Sequence, residues 1–126
     1  TKHMKINIKA TNIELTDALS SYVNEKIWST EKFMVPHENE DIFVQAELGK
    51  LTNHHRSGDM YRAEVNLTVR GKYFRAESEK GDLYAAIDDL RDELVRELNS
   101  NKKKDRVLLR KGAAMIKNIL RFGREK

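Results

Sequence analysis

Apolar and polar positions alternate at the start of the chain. Ile6, Ile8 and Ala10 fall on one side and Lys5, Asn7 and Lys9 on the other, which predicts a strand covered on one face. At Thr16 the period lengthens: Leu15, Ala18, Leu19, Tyr22, Val23, Ile27 and Thr30 share one face of a helix, with Thr16 as its N-cap. Pro36 disfavours helical geometry at Val35, so this helix is expected to end near Phe33. Ile42, Val44, Ala46 and Leu48 then alternate against Phe43, Gln45 and Glu47 as a second strand. Residues 49–59 have no period and carry two glycines, which predicts a loop.

Tyr61, Ala63, Val65, Leu67 and Val69 form one face of a third strand, and Gly71-Lys72 is expected to turn it into a fourth over 73–78. Asp82 can cap the helix that follows, where Leu83, Ile87, Leu90, Leu94 and Leu98 lie on one stripe. The order is β-α-β-β-β-α, an α+β class. Each strand keeps a polar face, so the pattern predicts a four-stranded sheet with two helices on one side only.

This domain is expected over residues 4–101, with a basic amphipathic tail over 102–126. Charge separates the two: residues 1–101 hold 14 Lys and Arg against 18 Asp and Glu, whereas 102–126 hold 10 against 2. In the tail Leu108, Leu109, Met115, Ile116, Ile119 and Leu120 interleave with basic residues, and Gly112 weakens a single helix. A docked third helix, a helix that orders on RNA or protein, and a membrane-surface helix all fit this pattern. A solvated segment fits the charge equally well.

At 126 residues one domain is expected. Absence of cysteine excludes disulfides and thiolate metal sites, and no apolar run approaches the roughly 20 residues that span a bilayer, so the chain reads as cytoplasmic with no membrane partner. Thr1-Lys2-His3 ahead of Met4 read as an expression remnant.

Candidate chemistry is sparse. His37 with His54-His55 lacks a carboxylate at ligand spacing, so no metal or cofactor is expected. Asp88, Asp89, Asp92 and Glu93 read as solvated surface rather than an acid-base pair, and no phosphate loop or nucleophile motif accompanies them, so no enzyme and no small-molecule substrate are expected. Tyr84 fits packing at the edge of the helix stripe better than stacking on a base, and Trp28 fits either. Arg62, Arg70, Lys72 and Arg75 would make a basic strip on the strands, but Glu47, Glu64 and Glu77 dilute it, and RNA is not assigned to the open sheet face.

The runs FRAES and DLYAAIDDL, and the opening MKINIKATNIELTDALSSYVNEKI, resemble the hibernation-promoting factor and ribosome-associated inhibitor family, the sigma-54 modulation proteins, over about residues 4–104. The resemblance implies a fold like that of double-stranded RNA-binding domains and a translation inhibitor that occupies the messenger and transfer RNA channel of the small ribosomal subunit, on 16S-type rRNA, under stress. It also implies a short form, monomer or weak dimer, without the dimerisation domain of long members. The RNA contacts it implies on the helices are Lys26, Lys32, Arg91 and Arg96. Glu93, Glu97 and Ser100 on the second helix stand where the resemblance implies Lys or a neutral polar residue, and Ser20 and Ser29 on the first where it implies basic residues. Compensation is expected from Lys102, Lys103, Lys104, Arg106, Arg110 and Lys111. The alternative is a protein-interaction module whose basic amphipathic tail docks on a protein or membrane partner.

Overall fold

The computed structural model describes residues 3–51 and 58–124, with backbone alone over 101–109 and 113–124. Strands β1 (Met4–Thr11), β2 (Ile42–Leu51), β3 (Met60–Val69) and β4 (Lys72–Lys80) and helices α1 (Asp17–Trp28) and α2 (Leu83–Arg124) follow the expected order, with a 3-10 turn at Glu31–Phe33. The sheet runs β1-β2-β3-β4, with β1 parallel to β2 and the remaining pairs antiparallel.

Burial follows the period-2 pattern. Ile42, Val44, Ala46 and Leu48 of β2 meet Ala63, Val65 and Leu67 of β3 and Phe74 and Ala76 of β4 in one apolar cluster. From α1 the cluster receives Leu19, Val23 and Ile27, and from α2 Ala86, Ile87, Leu90, Leu94 and Leu98. Burying each large side chain of these stripes contributes about 1.5–3 kcal/mol, which is what holds both helices to the sheet. Leu15 and Ala18, expected on the covered face of α1, are exposed because they lie before or within the first turn, ahead of the sheet contact.

Both caps form as the sequence implies. Thr16 Oγ1 accepts from the Leu19 amide at 3.1 Å, and Asp82 Oδ2 from the Ala85 amide at 2.9 Å. The end of α1 differs from expectation: it stops at Trp28, five residues before Phe33. The hydroxyls of Ser29 and Thr30 donate back to the carbonyls of Lys26 (2.5 Å) and Ile27 (2.6 Å), competing for the last-turn acceptors and tightening the chain into the 3-10 turn. Thr30 is fully buried, and this bond satisfies it.

Two further boundaries shift. β2 runs on to Leu51, into the expected loop, because its register with β3 continues through Lys50↔Tyr61 and Leu51↔Met60. The hairpin turn is Arg70-Gly71, one residue earlier than expected, since Val69 pairs with Lys72. Arg70 (φ 53°) and Gly71 (φ 76°) both take left-handed backbone, the pattern of a two-residue hairpin turn that matches the twist of its strands.

The largest difference lies after Leu98. Asn99-Ser100-Asn101 and Gly112 do not interrupt α2, which continues as one helix to Arg124. At about 1.5 Å per residue its 42 residues extend about 63 Å, far longer than the sheet is wide. No helix among the described residues is long and apolar enough to cross a membrane.

Candidate nucleic-acid interface

The expected helix cations divide between two sides of the domain. Lys26 and Arg91 meet at the seam of α1 and α2: Lys26 Nζ lies 3.2 Å from Asp88 Oδ1, and Arg91 Nε donates to Ser29 Oγ at 3.0 Å. Tyr22 donates its hydroxyl to the same Asp88 carboxylate and stands edge-on to Tyr84, with ring centroids 4.8 Å apart. Lys26 Nζ sits 5.3 Å from the Tyr22 ring centre. Tyr84 therefore packs, as its place on the helix implied, while remaining partly exposed.

Arg96 lies five residues beyond Arg91, about 140° around the helix, so it cannot share that seam. It pairs instead with Glu93, which lines a groove beside β4 with Glu97, Arg75 and Glu77. Lys32 is exposed in the 3-10 turn, its Nζ 5.4 Å from the Phe33 ring centre. Trp28 is exposed at the end of α1.

Three of these cations, Lys26, Arg91 and Arg96, are matched to carboxylates within the domain. Asp88 engages Lys26, Asp92 engages Arg91 at 3.3 Å, and Glu93 engages Arg96. The acidic cluster is thus not simply solvated surface. Asp89 too has a partner, accepting from the Ser78 hydroxyl at 2.7 Å. The hydrogen bond from Tyr22 holds the Asp88 carboxyl below its usual range despite some desolvation, with Lys26 adding to the effect. The same contacts raise Lys26, through Asp88 first. Sequence spacing shows Asp88 beside Asp89 but carries no sign of this link, because Tyr22 and Asp88 are 66 positions apart.

Arg110 and Lys111 are exposed on the extension of α2, and no carboxylate among the described residues pairs with either. Lys102, Lys103, Lys104 and Arg106 occupy helical backbone, and their side chains lie outside the described residues. Continuity of α2 gives the basic residues an order that a broken tail would not. Arg96, Lys103, Arg110, Lys117 and Arg124 recur every seven residues, about 10 Å apart along the axis, on a row that drifts by only about 20° per heptad.

On the open sheet face Glu64 is only 11% exposed and lies 3.3 Å from Arg62 and 2.5 Å from Arg75. Glu77 also joins both arginines. These cations are committed to the sheet, which agrees with leaving them out of a basic strip. No metal cluster forms among the described residues, and His54-His55 lie outside them.

The sequence pattern described as sigma 54 modulation protein / S30EA ribosomal protein matches residues 6–106. A ribosome hibernation promoting factor of Pseudomonas putida is 33% identical over 111 residues, covering 88% of this chain and 99% of that protein. The Escherichia coli K12 protein of the same name is 32% identical over 101 residues, covering 80% and 96%. Among solved structures, the Thermus thermophilus Protein Y N-terminal domain superposes with a TM-score of 0.61 at 28% identity, covering 75% of this chain and 96% of that one. A ribosomal subunit interface protein of Coxiella burnetii, at 19% identity and TM-score 0.57 over 76% and 97%, shares the fold. With a match that runs from within β1 through α1 and the other three strands into the first half of α2, the chain belongs to the sigma 54 modulation protein / S30EA ribosomal protein family.

Proposed function

We propose that this chain is a ribosome hibernation factor. It binds the small subunit in the messenger and transfer RNA channel, against rRNA, and silences translation by occupying that space in the cytoplasm. The observation that carries this reading is the alignment with hibernation promoting factors over nearly their whole length. No catalytic step is needed, because exclusion follows from occupancy.

Binding energy in this reading comes mainly from counterion release by cations that meet phosphates. The helix seam supplies Lys26 and Arg91, with Lys32 beside it. Their local carboxylates reduce what each can offer, since a phosphate must compete with Asp88 or Asp92. The row along α2 from Arg96 through Lys103 and Arg110, with Lys102, Lys104, Arg106 and Lys111 near it, supplies the remainder. The helix thus works as a positively charged arm whose backbone is continuous with the domain.

Titration of the full chain into a purified translation system tests the function. Peptide synthesis falls stoichiometrically with ribosomes and recovers when messenger RNA is added in excess before the factor. Undiminished synthesis with the chain in excess over ribosomes contradicts the proposal.

A further inference from the structure

The open face of the sheet is divided along the strands in a way the one-dimensional sequence conceals. One cross-strand row reads Lys9–Glu47–Glu64–Glu77, and the next ends Arg62–Glu79. All four carboxylates of the face lie in this half. The adjacent row reads Asn7–Gln45–Asn66–Arg75, and beyond it stand Lys5 beside Phe43 and Thr68 beside Tyr73. The strand positions of this second half carry amides, Lys5 and two aromatic rings but no carboxylate; Arg75 is paired with Glu64 and Glu77 of the first half, and Asp41, just before β2, with His3.

Phe43 (60%) and Tyr73 (62%) are the most exposed large apolar side chains among the described residues. They stand on β2 and β4 with β3 between them, about 10 Å apart by strand spacing. Tyr73 donates its hydroxyl to Asn66 Oδ1 at 2.5 Å, which draws its ring toward the amide row. Asn7 Nδ2 donates to Gln45 Oε1 at 2.9 Å, so the row is ordered while the Gln45 and Asn66 amide nitrogens and the Asn7 oxygen keep free capacity.

We propose that this half of the sheet binds unpaired bases of single-stranded RNA. Phe43 and Tyr73 are stacking platforms, and the amide row meets base edges. Stacking on exposed rings of an open sheet tolerates any base, and side-chain amides offer the paired donor and acceptor that base edges require. Lys5, at the outer edge of the ring row, supplies a cation for the backbone. No aliphatic side chain joins the two rings, and Thr68 separates them, so the patch lacks the continuous apolar area of a dry protein interface. The site lies on the face opposite the helices and stands independently of the helix cations.

The test uses the full chain, a uridine decamer and an abasic decamer of the same length. Amide NMR signals of Phe43, Gln45, Asn66, Thr68 and Tyr73 are expected to shift with the uridine decamer. The abasic decamer is expected to bind more weakly, and F43A/Y73A to weaken uridine binding by about tenfold or more without altering abasic binding. Both rings are exposed, so the double variant retains its fold, and F43Y/Y73F, which keeps a ring at each place, retains binding. Three results overturn the proposal: equal affinity for the abasic strand, shifts confined to the helices, or open-face shifts that follow protein concentration without RNA and so report self-association.

Discussion

Lys26 Nζ lies 3.2 Å from Asp88 Oδ1, an ion pair that joins α1 to α2 and occupies a cation the family resemblance assigns to RNA. The pair is half-exposed, so solvent screening leaves it only a small contribution to stability. Asp88→Asn is therefore expected to cost little in urea denaturation. The same variant frees Lys26 for phosphate and is expected to raise small-subunit affinity by about threefold, measured by filter binding at fixed salt.

The depressed pKa of Asp88 fixes the sign of a pH effect. A carboxyl whose folded pKa lies below its unfolded value of about 3.9 contributes stability that is full above that value and lost as pH falls through the folded pKa. Glu40, held low by the Arg70 amide first and the His37 amide second, acts in the same sense. The difference in unfolding free energy between the native chain and D88N is expected to be constant near neutrality and to vanish in strong acid. A difference that grows below pH about 4 contradicts the assignment.

Arg70 carries a side chain in left-handed backbone at the β3-β4 turn. Arg70→Asn places there the residue that the turn type favours, while keeping the amide that Glu40 accepts from. Thermal unfolding is expected to show a gain of about 0.5–1 kcal/mol. Gly71→Ala, at φ 76°, is expected to lose at least as much.

Leu94 is 1% exposed and sits in the α2 stripe against the sheet. Leu94→Ala is expected to destabilise the domain by about 2–5 kcal/mol in chemical denaturation. Arg110→Ala, on the extension, is expected to leave stability unchanged within about 0.5 kcal/mol.

The strands and both caps were legible because burial on one face imposes period 2, and because Thr16 and Asp82 sit where free amides need acceptors. The early end of α1 was not, since it depends on the Ser29 and Thr30 hydroxyls bonding back to the Lys26 and Ile27 carbonyls while the Thr30 amide turns onto Ile27 in 3-10 fashion. Continuity of α2 through Asn99-Ser100-Asn101 was hidden by weak propensities that a strong preceding helix overrides. Of the candidate site, the pairing of the expected cations was not readable: Asp88 and Tyr22 meet only through tertiary structure. The division of the open face likewise exists only once strand register sets Glu47, Glu64 and Glu77 in one row.

Co-sedimentation with purified small subunits across a salt series, comparing the full chain with one ending at Asn101, tests the central claim most directly. The full chain is expected to travel with the subunit and to lose affinity with a slope of about 0.7–0.9 per phosphate contacted. The shorter chain, lacking most of the basic row, is expected to bind only at low salt and with a shallower slope. Failure of the full chain to associate even at low salt, or identical salt profiles for both chains, contradicts the account.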